Sequence, residues 1–227
     1  KGSGTRSSLL FETIRIIEEM KEKPKVVLWE NVKGVLDKNM RASFFHYLKE
    51  MERLGYESKY KILNAMDFGI PQNRKRIFVV SILGQNDFDF ETLKKAETRS
   101  IDDFLEKGVS DLYEVRQKSM LRYLSGNPKN KNFKGRLKII DKYAYTISTK
   151  QVRVPKSGLV DIGNGKYRYL TERECLRLMG FDDEDFDKIR AIYPKRPGKT
   201  SSILYKQAGN SIVVNVLEAI LNEIYRR

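Results

Sequence analysis

Four short stretches hold residues able to do chemistry. Trp29-Glu30-Asn31-Val32 follows an apolar run at residues 25–29, and open α/β sheets place their ligands at the carboxyl ends of such strands. A carboxyl group there can protonate or hydrogen-bond a substrate if burial raises its pKa, although a glutamate just past a strand is more often a solvated loop residue. Gly69-Ile-Pro-Gln-Asn-Arg-Lys-Arg-Ile-Phe78 sets Arg74 and Arg76 two apart where a strand begins, so both guanidinium groups are expected to project to one side. Paired forks suit phosphate or base-edge oxygens; the same pair would serve equally to charge a sheet edge against aggregation. Gly209-Asn210-Ser211 precedes an apolar, helix-periodic segment and offers backbone N–H groups to a polar ligand, a feature that capping alone also explains. The fourth stretch, RYLTERECLRLMGF at 168–181, holds the single cysteine, Cys175. A reactive thiolate wants an exposed, electropositive site with a base nearby, whereas a lone cysteine in an apolar-periodic segment is usually a small core residue.

The elements that must position these residues follow from periodicity. Residues 9–20 and 41–54 have helical spacing, the second closed by Gly55, while 25–29, 56–63 and 76–83 read as strands. Strands alternating with helices predict parallel α/β units with helices packed on the sheet. Beyond Gly84 the elements shorten, and a Gly163-Asn164-Gly165 turn flanked by LVDI and KYRYL predicts a hairpin. Thr171 and Glu174 form a capping box for a further helix, and 210–227 is expected to be a last helical segment. His46 is most simply a helix-surface or core-edge histidine.

Composition narrows the function. With 227 residues, 40% of them hydrophobic, the chain can bury a real core. One cysteine and one histidine cannot assemble a disulfide framework or a Cys/His zinc site, and no run approaches the ~18 apolar residues of a membrane span. A reducing cytoplasm is the expected setting. The net charge of +14 points to a polyanion. It is unevenly spread: residues 116–156 carry 12 Lys/Arg against 1 acid, and 81–115 carry 4 against 9. The basic block is a candidate phosphate-tracking surface, or else a solvated basic loop.

Taken together, ENVKG, GIPQNRKRIF, LTERECLRLMGF and QAGNSIVVNVLEAI, in that order, resemble the motifs of the DNA cytosine-5 methyltransferases. The resemblance spans almost the whole chain except the variable basic lobe. It implies an α/β fold, part of a Rossmann-like methyltransferase sheet that uses S-adenosylmethionine as cofactor, plus a small target-recognition lobe. The expected segments are 1–83 for the catalytic α/β half, 84–166 for the DNA-binding lobe, and 167–227 for a bracing helix and a closing segment.

In that family the target cytosine is flipped out of the duplex, because the reacting atoms are inaccessible in the stack. A thiolate then attacks C6, and C5 takes the methyl group. By resemblance Glu30 would contact the cytosine at N3, Asn31 would hold that loop, Arg76 would reach O2, and Arg74 would reach a phosphate or support the site. Asn210, Ser211 and Ile212 would close the cofactor pocket. Arg6 would approach the DNA backbone, Thr146 in YTIST would lie near the flipped nucleotide, and Lys129, Lys131, Lys134 and Arg136 would belong to the DNA-binding lobe. Cys175 falls in a bracing helix and is not the family's nucleophile, which follows a proline in a Pro-Cys-Gln loop. That loop and a Phe-x-Gly-x-Gly cofactor loop are absent from these residues and are expected upstream of Lys1. The isolated chain is therefore expected to be inactive, and to associate with a missing N-terminal half, a companion subunit or a second copy. Double-stranded DNA is the expected partner and a prokaryotic or phage restriction-modification system the expected setting; a non-catalytic DNA-binding module is the alternative.

Overall fold

The computed structural model describes residues 8–126, 137–153 and 155–226. Its helices are α1 (Ser8–Glu19), α2 (Arg41–Arg53), α3 (Lys118–Leu124), α4 (Glu172–Arg177), α5 (Asp183–Ile192), α6 (Ser202–Asn210) and α7 (Val214–Ile224). Its strands are β1 (Val26–Val32), β2 (Tyr56–Asn64), β3 (Gln72–Asn73), β4 (Lys75–Leu83), β5 (Ala144–Tyr145), β6 (Val160–Gly163) and β7 (Lys166–Arg168). The chain packs as two compact units: Lys1–Asn64 with Lys75–Lys94 and Ile220–Arg227, and Ala65–Arg74 with Lys95–Ala219.

The first unit is built on a three-stranded sheet in the order β1-β4-β2, with β4 antiparallel to both neighbours. This corrects the all-parallel expectation. β1 and β2 do run the same way, joined through α2, but β4 enters between them in the opposite direction. Only residues 65–74 link β2 to β4, and a parallel crossover needs a dozen residues or more. The run Ile77-Phe78-Val79-Val80-Ser81 is buried throughout, as a continuous apolar run in a central strand should be. α2 buries Phe44, Tyr47 and Met51, one stripe of the helix. Phe44 packs with Ile77, Val79 and Trp29 of the sheet, and Tyr47 and Met51 with Ile14 and Ile17 of α1. The helix ends at Gly55, whose φ of +93° is the left-handed conformation that closes a helix. His46 is exposed on α2, its ring 5.2 Å from that of Phe11.

Residues 85–94 return to this sheet. Asn86 Nδ2 donates to Glu57 O at 2.9 Å and to Val80 O at 3.0 Å, and Lys59 Nζ donates to Phe88 O at 3.1 Å. They therefore pack with the first unit, not with the lobe expected to begin at residue 84.

In the second unit β3 pairs in parallel with β5, and β6 and β7 form the expected hairpin. Its turn uses positive φ at Gly163 (84°), Asn164 (54°) and Gly165 (70°). Met120 of α3, Val115, Leu137, Leu159 and Tyr169 form a core cluster. The capping box is present: Thr171 Oγ1 accepts from Glu174 N, and the Glu174 carboxylate accepts from Thr171 N. The same carboxylate takes two 2.8 Å hydrogen bonds from Arg168 and one of 2.7 Å from Glu106 N, so a buried charge is paired in the bidentate geometry that offsets its desolvation. These bonds cross the segment boundary expected at 166, because the capped helix and the lobe share one packed unit. Among the described residues no helix is long and apolar enough to cross a membrane, and no cluster of three or more His, Cys, Asp or Glu could hold a metal ion.

Candidate active site

β1 continues through Val32, so Glu30 lies inside the strand and not in the loop after it. The register sets Glu30 opposite Phe78 and Val32 opposite Arg76. All four side chains consequently share one face of the sheet, with Glu30 and Arg76 as diagonal neighbours. Arg76 Nε lies 3.2 Å from Glu30 Oε1, the two side chains 15% and 16% exposed. Along this face Phe78 is buried and Val32 is half exposed. The pair thus occupies the margin where the sheet passes from core to solvent, largely desolvated yet reachable. Burial lowers the Arg76 pKa from its ordinary value, and the Glu30 charge opposes that shift; a guanidinium remains charged regardless. Asn31 projects to the other face, opposite Ile77, and its Oδ1 accepts from Val32 N at 2.8 Å.

Arg74 does not share this setting, which corrects the expectation that both arginines project to one side. Arg74 N donates to Gln72 O at 2.8 Å, a three-residue turn just before β4, so strand alternation does not extend back to it. Arg74 is buried, 4% exposed, within the second unit. Its Nη1 donates to Ile147 O at 3.0 Å, and its Nη2 to Ser211 O at 2.9 Å and Gly209 O at 3.3 Å. Beside it Gln72, fully buried, donates to Leu178 O at 2.6 Å and accepts from Ile147 N at 3.0 Å. Thr146 Oγ1 donates to Asn73 O at 3.1 Å. Residues 72–74 thereby stitch the 146–147 segment to the end of α6.

Asn210 ends α6 and does not open the next helix; the break falls at 211–213, before α7. The amides expected to be free are partly used, because Ser211 N and Oγ both donate to Gln207 O at 3.0 Å, and Val214 N donates to Met179 O at 3.0 Å. Asn210 is exposed, and Ser211 and Ile212 are half-buried. Gly209 is required by close approach: a Cβ there would stand 2.5 Å from Thr149 N and 2.6 Å from Ser148 C. Sequence reasoning gives Gln72 no role of its own, and takes Gly209 as part of a ligand-facing junction, not as a packing contact. A glycine inside a helical run is a recognised sign of close packing, whereas nothing around Gln72 marks it.

Cys175 is fully buried in α4, and burial, with Glu174 and Glu172 adding to it, pushes the thiol well above its ordinary value. It is a core residue. Arg6, Lys129, Lys131, Lys134 and Arg136 lie outside the described residues.

The sequence matches the C-5 cytosine-specific DNA methylase family over residues 2–226. The chain belongs to that family. It is 40% identical over 240 residues to the type II methyltransferase M2.ScrFI of Lactococcus lactis subsp. cremoris, covering 99% of this chain and 60% of that protein. It is 34% identical to the type II methyltransferase M.SsoII of Shigella sonnei, covering 97% of this chain and 57% of that one. The chain therefore spans about three fifths of the length of these curated relatives. Among solved structures, the fold matches the Dnmt2 methyltransferase of S. pombe with a TM-score of 0.74 at 18% identity, covering 97% of this chain and 74% of that chain. The Entamoeba histolytica methyltransferase EhMeth matches with a TM-score of 0.73 at 20% identity, covering 96% and 68%. At those identities the likeness establishes the α/β methyltransferase fold.

Proposed function

We propose that this chain supplies the acid, the arginine and the DNA-recognition surface of a DNA cytosine-5 methyltransferase, which flips cytosine out of duplex DNA and methylates C5 from S-adenosylmethionine. The observation that carries this reading is the Glu30–Arg76 pair at the solvent margin of the sheet. A carboxyl group and a guanidinium side by side match the N3 and O2 edge of cytosine. As a thiolate adds to C6, negative charge develops toward N3 and O2. Glu30, in its protonated form, gives its carboxyl proton to N3 and is left as the carboxylate beside Arg76, whose guanidinium donates to O2. Donors fixed in advance at that edge stabilise the transition state without reorganising. Arg74, held by three carbonyls, acts by positioning.

The attacking thiolate comes from outside these 227 residues, since the one cysteine is sealed in α4 with its thiol pushed up by burial. S-adenosylmethionine, when bound, supplies an electrophilic methyl group. The turn at 210–212 fits an edge contact to such a ligand: the Asn210 side chain is exposed, and Gln207 Oε1 is buried with no hydrogen-bond partner among the described residues. A restriction-modification role is favoured by the type II methyltransferases among the relatives.

Methyl transfer from labelled S-adenosylmethionine to duplex DNA tests the reading, run with the chain alone and with the cysteine-bearing portion of a relative added. Transfer only in the second case supports it; transfer by the chain alone contradicts it. A DNA-binding module without catalysis is the second reading, favoured by the +14 charge and the basic block. It requires the chain alone to bind duplex with a steep salt dependence. Neutralising Lys129, Lys131, Lys134 and Arg136 together should then flatten the slope of log K against log salt by about 0.9 for each phosphate no longer neutralised.

A further inference from the structure

The second unit holds a basic hollow that none of the motifs above uses. About 580 Å³ in volume, it is lined on one side by Asp111 and Arg116 and on the other by Arg190, Lys195, Arg196 and the Pro197-Gly198 turn. Four cations, Arg116 from one stretch of chain and Arg190, Lys195 and Arg196 from another, line the hollow with a single exposed carboxylate, Asp111, which is 3.3 Å from Arg116. Like charges gathered around a cavity repel one another unless an anion lies between them.

The cations are also held in place. Lys195 Nζ donates to the Tyr113 hydroxyl at 3.1 Å and lies 4.9 Å from the centre of that ring. The Tyr113 hydroxyl in turn donates to buried Glu172, which also accepts from Ser201 N. The ammonium group of this lining residue is thus held in place. Arg190 lies over the Phe186 ring at 5.9 Å, on the last turn of α5. Lys195 and Arg196 stand between Pro194 and Pro197, whose fixed φ reduces the conformational freedom given up when the loop is held. Gly198 completes the turn at a φ of +66°. Arginine forks suit phosphate oxygens, which they can meet two at a time.

We infer that this hollow binds phosphate groups. A segment of DNA backbone is one source, which would extend the duplex contact beyond the basic block and rests on the DNA reading above; a free polyphosphate is the other.

The test compares the 227-residue chain with its Arg190→Gln/Arg196→Gln double variant, both arginines being exposed, and with a Lys21→Gln/Lys49→Gln control of equal charge from the first unit. Duplex affinity is measured across a salt series, and inorganic tripolyphosphate binding by calorimetry. The expected DNA result is several-fold weaker binding for the arginine variant and a slope of log K against log salt flatter by about 0.9 for each phosphate left without its cation, with the lysine control nearer the unaltered chain. Loss of tripolyphosphate binding with duplex affinity unchanged assigns the hollow to a free phosphate ligand. If the unaltered chain binds no duplex yet binds tripolyphosphate through these arginines, the DNA reading fails and the phosphate site stands. Equal behaviour of the arginine variant and the control toward both probes overturns the inference.

Discussion

Arg74 Nη2 reaches the carbonyl oxygen of Ser211 at 2.9 Å, joining positions 137 residues apart in sequence. With its bonds to Ile147 O and Gly209 O, one buried guanidinium holds three backbone carbonyls. Hydrogen bonds to charged groups each contribute about 1.5–3 kcal/mol, and removing the donor strands the acceptors. Arg74→Ala should therefore destabilise the chain by about 3 kcal/mol or more in denaturant unfolding. Arg74→Lys keeps the charge without the planar fork and should recover less than half of that loss. A near-neutral Arg74→Ala would remove Arg74 from its positioning role.

Gly209→Ala tests the contact between α6 and the 148–149 backbone. The added Cβ would stand 2.5 Å from Thr149 N, and neither backbone can retreat as a flexible side chain would. Overpacking of this kind costs about 1–3 kcal/mol, so the melting temperature should fall although alanine is the better helix former.

Tyr47 gives a pH dependence of known sign. Its hydroxyl is buried with no hydrogen-bond partner among the described residues, and burial pushes its pKa up to about 12. An unfolded tyrosine ionises near pH ~10. Below that value both states keep the proton, and the full stability is present. Above it the unfolded state loses its proton first, so stability falls as pH rises through 12, by about 3 kcal/mol in total. Tyr47→Phe should remove this slope; an unchanged slope would assign it to other groups.

Cys175 should not react with a thiol-specific reagent at mildly alkaline pH in the folded chain, and should titrate as one equivalent after denaturation. Prompt labelling of the folded protein would reopen its assignment as a core residue.

Much of this architecture is legible in the sequence, for reasons that differ by element. The Gly163-Asn164-Gly165 hairpin and the Thr171/Glu174 cap are local chemistry, written in residues next to one another. The direction of β4 is available too, since ten residues are too few for a parallel crossover, but periodicity alone does not report direction. Arg74 looks like a strand residue in sequence because Arg76 is one; the turn through Gln72 depends on a carbonyl two residues back and leaves no pattern. Gln72 owes its burial to partners at 147 and 178, long-range neighbours that no window of sequence contains. The Glu30–Arg76 pair is legible only as two separate motifs, and the register of β1 on β4 turns them into neighbours.

The most direct test of the Glu30–Arg76 assignment is a single-turnover rate with a parallel duplex-binding measurement. Glu30→Gln would be compared with the unaltered chain, each supplemented with a cysteine-bearing portion of a relative. Loss of a positioned acid lowers a rate by about 10²–10⁴, and that loss should appear while duplex affinity stays within a few-fold. An unchanged rate, or a loss of binding with the rate per bound complex preserved, would contradict the role assigned to the pair.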